Sequence, residues 1–268
     1  MTQTITNNVN TNQTYRLSVQ ISLNGLSFLT HTVDNEVIDF HYHEFSYQAN
    51  PEELLIQIKT FIEKGSSEYS DVALIYTTQY VTIVPLALFN SDKPSEYLKF
   101  NTKILAHDYV SYDTNEALEM ATVYIPYMNI NNYLYEHFGS FTYYHSHSVL
   151  IKHISSKEKF SDKNNVYIHV QKDTFDCFIF KKGKLQLANC YRYKTPEDFI
   201  YFILFNFEQC KLNPEVDTVL LLGNIEETSP LFEIVYTYVR NIQFFENDLP
   251  QIESVHEHGQ IPLKTLLT

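Results

Sequence analysis

Three His-x-His pairs stand out in the 268-residue chain: His41/His43, His145/His147 and His256/His258. Residues two apart in a strand point to the same side, so such a pair can bring two imidazoles to one metal ion. His41 and His43 fall in an alternating run and share a face with Asp39. His145 and His147 lie beside a short apolar run, near a strand end, where ligands gather in α/β folds. A metal site needs at least a third ligand, which spacing alone does not supply. The alternative for His41 and His43 is a solvent-facing polar row on an antiparallel sheet. The three cysteines, Cys177, Cys190 and Cys210, form no C-x-x-C pair and read as reduced thiols. No Gly-x-Ser-x-Gly, Walker or dinucleotide-binding signature occurs.

Charge narrows the function classes. The formal net charge is −13, which disfavours a protein whose main task is gripping phosphate backbones. Lys181, Lys182 and Lys184 crowd one predicted turn and read as a solvated hairpin tip. Tyr and Phe are abundant and Trp is absent, but they follow strand alternation and helix stripes, the pattern of packing surfaces. The first residues, MTQTITNNVNTNQT, have neither the basic start nor the apolar core of a signal peptide. No apolar stretch is long enough to span a bilayer. A cytoplasmic chain with a disordered start over residues 1–14 is expected.

The elements that position these residues follow from the pattern. Tyr15–Ser22 alternates with period two, and Asn24-Gly25 predicts a type I′ hairpin turn. Leu26–Val33 returns, Asp34-Asn35 turns, and Glu36–Tyr47 makes a third strand. A helix then starts at Asn50, with Pro51 at its first position and Glu53 placed to close a capping box. Asp71–Tyr76 reads as a buried strand parallel to its neighbour. Residues 77–119 carry no clear period, apart from a strand near Tyr80–Val84 and a short helix or loop over Pro94–Leu105. Met120–Pro126 reads as a strand, Asn129–Phe138 as a helix closed by Gly139, Phe141–Tyr144 as a very short strand and His145–Ser156 as a helix. Lys157–Asn164 has the composition of a linker.

The opening arrangement then recurs. Val166–Gln171, Thr174–Phe180 and Lys184–Tyr193 form a second three-strand meander, with turns at Lys172-Asp173 and Lys182-Gly183. A helix follows from Pro196, apolar nearly all round, so cover on more than one side is expected. Asp217–Leu222 is a buried strand ending in Gly223-Asn224. Thr228 or Ser229 caps the next helix, with Leu231, Val235, Tyr238 and Ile242 as its inward stripe. Phe244-Phe245 reads as a last short strand. Pro51 and Pro196 are 145 positions apart, Asp71 and Asp217 are 146, and Asn24 and Asp173 are 149. Three landmarks agreeing this closely point to one unit present twice.

Two tandem units of this topology resemble the actin-like, ribonuclease-H-like superfamily, which includes actin, chaperone ATPases, sugar kinases and pilus-assembly proteins. Closer still, the chain is similar to a bacterial family named for a domain of unknown function, number 3822. The likeness rests on the opening meander, the run Val84-Pro85-Leu86-Ala87-Leu88-Phe89, the VYIP run Val123–Pro126 and the LLLG run Leu220–Gly223. It implies an α/β fold of two tandem ribonuclease-H-like lobes, the actin-like ATPase fold. Each lobe would be an antiparallel meander followed by helix, strand, helix and strand, over residues 15–158 and 159–268.

Superfamily members that hydrolyse ATP place Asp-x-Gly in the first hairpin of each lobe, where the carboxylates hold the metal and its water. Here the first hairpin reads Ser22-Leu23-Asn24-Gly25, with no Asp, and the second reads Gln171-Lys172-Asp173-Thr174, with no Gly. The adenosine position, a Gly-Gly pair in those relatives, reads Gly223-Asn224. The resemblance therefore implies a frame that has kept its shape and lost ATP hydrolysis, a binding or scaffold protein without a cofactor. The alternative is a divergent phosphotransferase or ATPase binding Mg-ATP between the lobes through Asn24, Gly25, Asp173, Gly223 and Asn224. The expected partner is another protein, with a homodimer as a further expectation and neither membrane nor nucleic acid. A metal-dependent hydrolase built on the histidine pairs ranks last.

Overall fold

Two five-stranded sheets of the same connectivity organise the chain. In the computed structural model, residues 14–65, 69–99, 102, 104, 105, 108–253 and 255–268 are described. Apart from Thr14, the expected disordered start lies outside them. The first sheet contains β1 (Tyr15–Ser22), β2 (Gly25–Thr32), β3 (Val37–Glu44), β4 (Tyr69–Tyr76), and further on β8 (Thr142–His145), in the order β3-β2-β1-β4-β8. Helix α1 (Pro51–Lys64) joins β3 to β4. After β4 come β5 (Val81–Pro85), α2 (Ser95–Leu98), β6 (Ser111–Asn115), β7 (Met120–Tyr124) and α3 (Met128–Phe138). Strands β5, β7 and β6 make a separate three-stranded sheet. Helix α4 (Ser146–Glu158) leads to β9 (Asn164–Val170), β10 (Thr174–Lys181) and β11 (Lys184–Arg192). Then follow α5 (Pro196–Gln209), β12 (Thr218–Gly223), α6 (Pro230–Tyr238), β13 (Asn241–Phe244) and α7 (Ile261–Lys264). The second sheet runs β11-β10-β9-β12-β13.

In both sheets the meander is antiparallel, and the strand after the helix returns parallel to the first, β4 on β1 and β12 on β9. The helix starts follow from local chemistry. Asn50 and Glu53 complete one capping box, Thr195 and Asp198 the other, each satisfying two otherwise orphaned amides. Ser229 is the cap of α6.

Each sheet buries its outer face under its own helices. Leu54, Ile58 and Ile62 of α1 pack with Ile130 and Leu134 of α3 on the first sheet, and Phe199, Ile203 and Phe207 of α5 with Val235 on the second. A third core lies on the inner face of the second sheet. There Leu150, Ile151 and Ile154 of α4 meet Tyr167, Phe178 and Phe180, with Leu249 and Ile261 from the C-terminal stretch. Leu263 and Leu267 carry that stretch on to Leu29 of the first sheet. Strand β2 is consequently buried at every residue. Among the described residues no helix is long and apolar enough to cross a membrane.

Several expectations change. Asn24-Gly25 is not a type I′ turn, because neither residue has positive φ; Leu23 and Asn24 occupy the turn and Gly25 begins β2. Lys182-Gly183 does have the two positive φ values of that turn, 49° and 75°. The stretch expected to link two lobes starts as the last turn of α4. Glu158 within it is buried and accepts from the Tyr167 hydroxyl and from Asn165. Tyr238, expected inward, is exposed, and α5 keeps Tyr201 and Phe205 uncovered. Part of the Pro94–Leu105 segment lies outside the described residues; the helical part is Ser95–Leu98.

Candidate functional site

The two meander hairpins meet. The Asn24 side-chain amide donates to Asp173 Oδ1 at 2.5 Å across 149 positions of sequence. Each partner is held by its own turn. The Asn24 N–H goes to Ser22 Oγ, and its carbonyl accepts from Phe45 N–H. In the other hairpin, Gln171 N–H bonds the Thr174 carbonyl while Tyr193 donates its hydroxyl to the Gln171 carbonyl. A second link runs beside the first. Lys172 donates to Glu44 Oε1 and to the Phe45 carbonyl, both at 2.7 Å. The Lys172–Glu44 pair is partly exposed and worth little by itself; with Asn24–Asp173 it fixes the distance between the hairpins.

Gly25 owes its place to space. A Cβ there would stand 2.8 Å from the Tyr42 hydroxyl, so the tyrosine ring lies directly against the Gly25 backbone. Gly223 is required by conformation. Its φ is +91°, and a Cβ would come within 2.3 Å of the Val170 carbonyl oxygen. Its N–H donates to the His258 carbonyl at 2.7 Å, and the Asn224 N–H to the Val170 carbonyl at 2.8 Å. These backbone donors are engaged within the chain.

Asn24, Gly25, Gly223 and Asn224 line one cavity of about 500 Å³ between the sheets. Asp173 lies on the far side of Asn24, in a recess with Thr77 and Thr78. Of the five residues that the sequence singled out for nucleotide, four share this cavity, and Asp173 reaches it only through its bond with Asn24. The remaining wall is mixed: Gln20, Ser27, His169 and Gln171 are polar, while Phe40, Tyr42 and Val170 are not. Glu44 is its one carboxylate among the described residues, and it is already paired with Lys172.

Sequence reasoning missed the C-terminal stretch that forms the cavity's remaining side, with Val255, His256, Gly259 and Gln260. His258 anchors it. Its Nε2–H donates to the Ile225 carbonyl at 2.7 Å, and its ring stacks on Phe244 at 4.3 Å. Burial lowers its pKa, in keeping with a neutral ring. Lys264 is buried below, donating to the carbonyls of His256 and Glu257, and burial lowers its pKa too. The His256/His258 repeat was the one available signal. It straps chain to chain.

The other histidine pairs part company with metal chemistry in specific ways. His145 caps α4: its Nδ1 accepts the His147 N–H at 3.0 Å, which leaves the proton on Nε2 to donate to the Thr78 carbonyl at 3.0 Å. Both ring nitrogens are committed. Burial, reinforced by neighbouring His147, lowers its pKa to about 3. His147 Nε2 stands 2.9 Å from Asp176 Oδ1, and His169 Nδ1 2.9 Å from Oδ2. Burial alone would raise the Asp176 pKa; the two imidazoles outweigh it and hold the carboxylate ionised well below its usual range. Asp113 accepts from the Tyr124 hydroxyl, Ser148 and the His145 N–H, and burial raises its pKa. His41 is exposed and stacks on Phe61, and His43 meets the edge of Phe45. Among the described residues no group of three or more His, Cys, Asp or Glu is arranged to hold a metal.

A family model described as protein of unknown function (DUF3822) matches residues 4–242. Among solved structures, a Bacteroides thetaiotaomicron protein with actin-like ATPase fold and unknown function aligns at a TM-score of 0.82 and 21% identity, over 95% of this chain and 96% of that one. A chain of the PilM-PilN type IV pilus biogenesis complex aligns at 0.58 and 11% identity, over 86% and 88%. No curated protein matches. The fold is the actin-like ATPase fold.

Proposed function

The chain belongs to the DUF3822 family, and we propose that it is a non-catalytic binding or scaffold protein that has lost ATP hydrolysis. On this reading it is built from two tandem lobes, residues 15–158 and 159–268, derived by internal duplication, and works in a bacterial cytoplasm with another protein as partner. The two sheets of matching strand order support the duplication.

The hydrogen bond from Asn24 to Asp173 carries the functional reading. Two carboxylates facing each other across a cleft repel until a cation joins them. An amide facing a carboxylate satisfies it directly, so no cation is needed. The N–H groups of Gly223 and Asn224, bonded to His258 and Val170, support the same reading. The neighbour from the PilM-PilN complex is a precedent for this fold working within a protein assembly.

A second reading draws on the cavity itself. Some 500 Å³ lined by Asn24, Gly25, Gly223 and Asn224 together with Phe40, Tyr42 and Val255 suits a small molecule with polar and apolar parts, and a divergent phosphotransferase or ATPase would use it for nucleotide. Thermal unfolding with and without millimolar Mg-ATP separates the two, since a ligand that binds only the native state raises the midpoint by mass action. The proposal expects no shift. A rise that Asp173→Ala abolishes would overturn it.

A further inference from the structure

Strand β11 closes one end of the second sheet, and among the described residues no strand pairs with its outer edge. Seven consecutive residues, Gly183 to Asn189, line a groove of about 1010 Å³. Alternate residues would line a groove lying over a face of the sheet, because successive side chains point to opposite faces. Consecutive residues mean that the groove runs along the edge. The main chain faces it. Cys190 donates its N–H to the Asn189 side chain at 3.0 Å, so that N–H points away from β10. By alternation the N–H and carbonyl of Ala188, two residues back, point outward as well.

The opposite wall comes from the three-stranded sheet: Ile83 and Pro85 of β5, and Glu116 to Met120 around the β6–β7 turn. Pro85 has no N–H, which blunts β5 as a pairing edge. Strand β11 carries Lys184 at its hairpin end and a bulge at Gln186, whose side chain reaches the Lys184 and Leu185 carbonyls, whereas Leu187 to Asn189 beyond it carry neither charge nor proline. Leu118, Leu185 and Leu187 are only half-buried and leave apolar surface inside the groove.

We propose that this groove takes up one extended peptide segment of a partner protein, which pairs with β11 as a sixth strand. The mode is strand addition: main-chain hydrogen bonds give affinity, and alternate side chains give specificity. Walls on both sides favour a lone segment over a second copy of this chain, whose own edge strand would bring its neighbouring strands against β5. Lys184 lines one wall and Glu116 and Glu119 the other, so charged residues of the peptide are drawn each to the wall of opposite sign. The proposal deepens the protein-binding reading above and rests on it.

The test is selection of a phage-displayed random nonapeptide library on the full chain. Enriched peptides are then synthesised and measured by fluorescence polarisation. Peptides apolar at alternate positions are expected. Their affinity should fall at least tenfold against Ala188→Pro, which removes an outward N–H, and against Leu118→Arg, which places a charge on the far wall. N-methylation at alternate peptide residues should abolish binding in one phase and spare it in the other. No enrichment, or binding indifferent to both variants and to methylation, overturns the proposal. So does a sedimentation profile showing dimers that Ala188→Pro dissociates. If Ala188→Pro does not fold, Leu118→Arg and the methylated peptides decide. Failure here leaves the Mg-ATP result untouched, and an ATP-induced shift leaves this one untouched.

Discussion

Replacing Asn24 by Asp restores a carboxylate to the first hairpin and tests the logic of the cleft directly. The side chain that now donates to Asp173 at 2.5 Å would become a second anion at almost the same place. At an effective dielectric constant of about 40, two unit charges about 3 Å apart repel by about 3 kcal/mol. The lost hydrogen bond to a charged acceptor adds roughly 1.5 kcal/mol. Rotation of the two half-buried side chains away from each other returns part of this, so a loss of about 2–4 kcal/mol at pH 7 is expected. The repulsion raises the pKa of one carboxyl. A carboxyl with a raised folded-state pKa destabilises above that value, and the penalty is relieved as pH falls toward its unfolded value of about 4. Urea unfolding of parent and variant from pH 8 to 4 gives both numbers. In 10 mM MgCl₂ the variant should recover stability and the parent should not, because the new carboxylate pair can share a cation. A variant as stable as the parent at pH 7, or one equally stable with and without magnesium, would refute the account of the hairpins.

Asn24→Ala and Asp173→Ala should each cost about 1–2 kcal/mol and the double substitution much less than their sum, since one bond links them; a double-mutant cycle in urea measures this. Gly223→Ala should destabilise by about 3 kcal/mol or more, combining a positive φ with a Cβ 2.3 Å from the Val170 carbonyl oxygen, read as a lowered urea midpoint. His145 has a folded pKa of about 3 against about 6.5 unfolded, so its contribution is complete above pH 6.5 and is lost as pH falls toward 3. Going from pH 7.5 to 4.5 should remove about 2–3 kcal/mol, and His145→Asn, which keeps a helix cap, should flatten that part of the pH profile. Lys264→Ala should free the carbonyls of His256 and Glu257 and speed amide exchange of Gly223, whose N–H depends on the same stretch.

What could be read from the sequence was what local chemistry decides. Both capping boxes form as Asn50/Glu53 and Thr195/Asp198 require, because their partners lie three residues apart. The period-two runs give the meanders for the same reason. The failures are non-local. Strand β6, Ser111–Asn115, is polar and unremarkable by propensity; it is a strand because Ser111 to Asn115 pair with Tyr124 to Met120. Glu158 looks like linker charge until Tyr167 and Asn165 close on it. Asn24-Gly25 has the ideal composition for a type I′ turn, yet the shift of the turn by one residue puts Gly25 under Tyr42. The C-terminal stretch has almost no internal pattern, and the hydrogen bonds that fix its place go to Gly223, Ile225 and Asn247.

The candidate site shows why two departures that look like separate losses are better taken together. Read one at a time, Asn24 is a missing aspartate and Asp173 lacks its glycine. Placed across the cleft, they are donor and acceptor of a single bond. An aspartate at position 24 would call for a cation, and an asparagine at position 173 would leave Asn24 facing another amide. As it stands, the pair satisfies donor and acceptor with each other. Lys172 adds to the same internal pairing by reaching Glu44 and the Phe45 carbonyl, and the Gly223 N–H by reaching His258. On the proposed reading, groups that an ATP-binding member of this fold would hold ready for phosphate and magnesium are here partners of one another. Outward main-chain capacity lies instead at Ala188 of β11, on the edge that lines the groove.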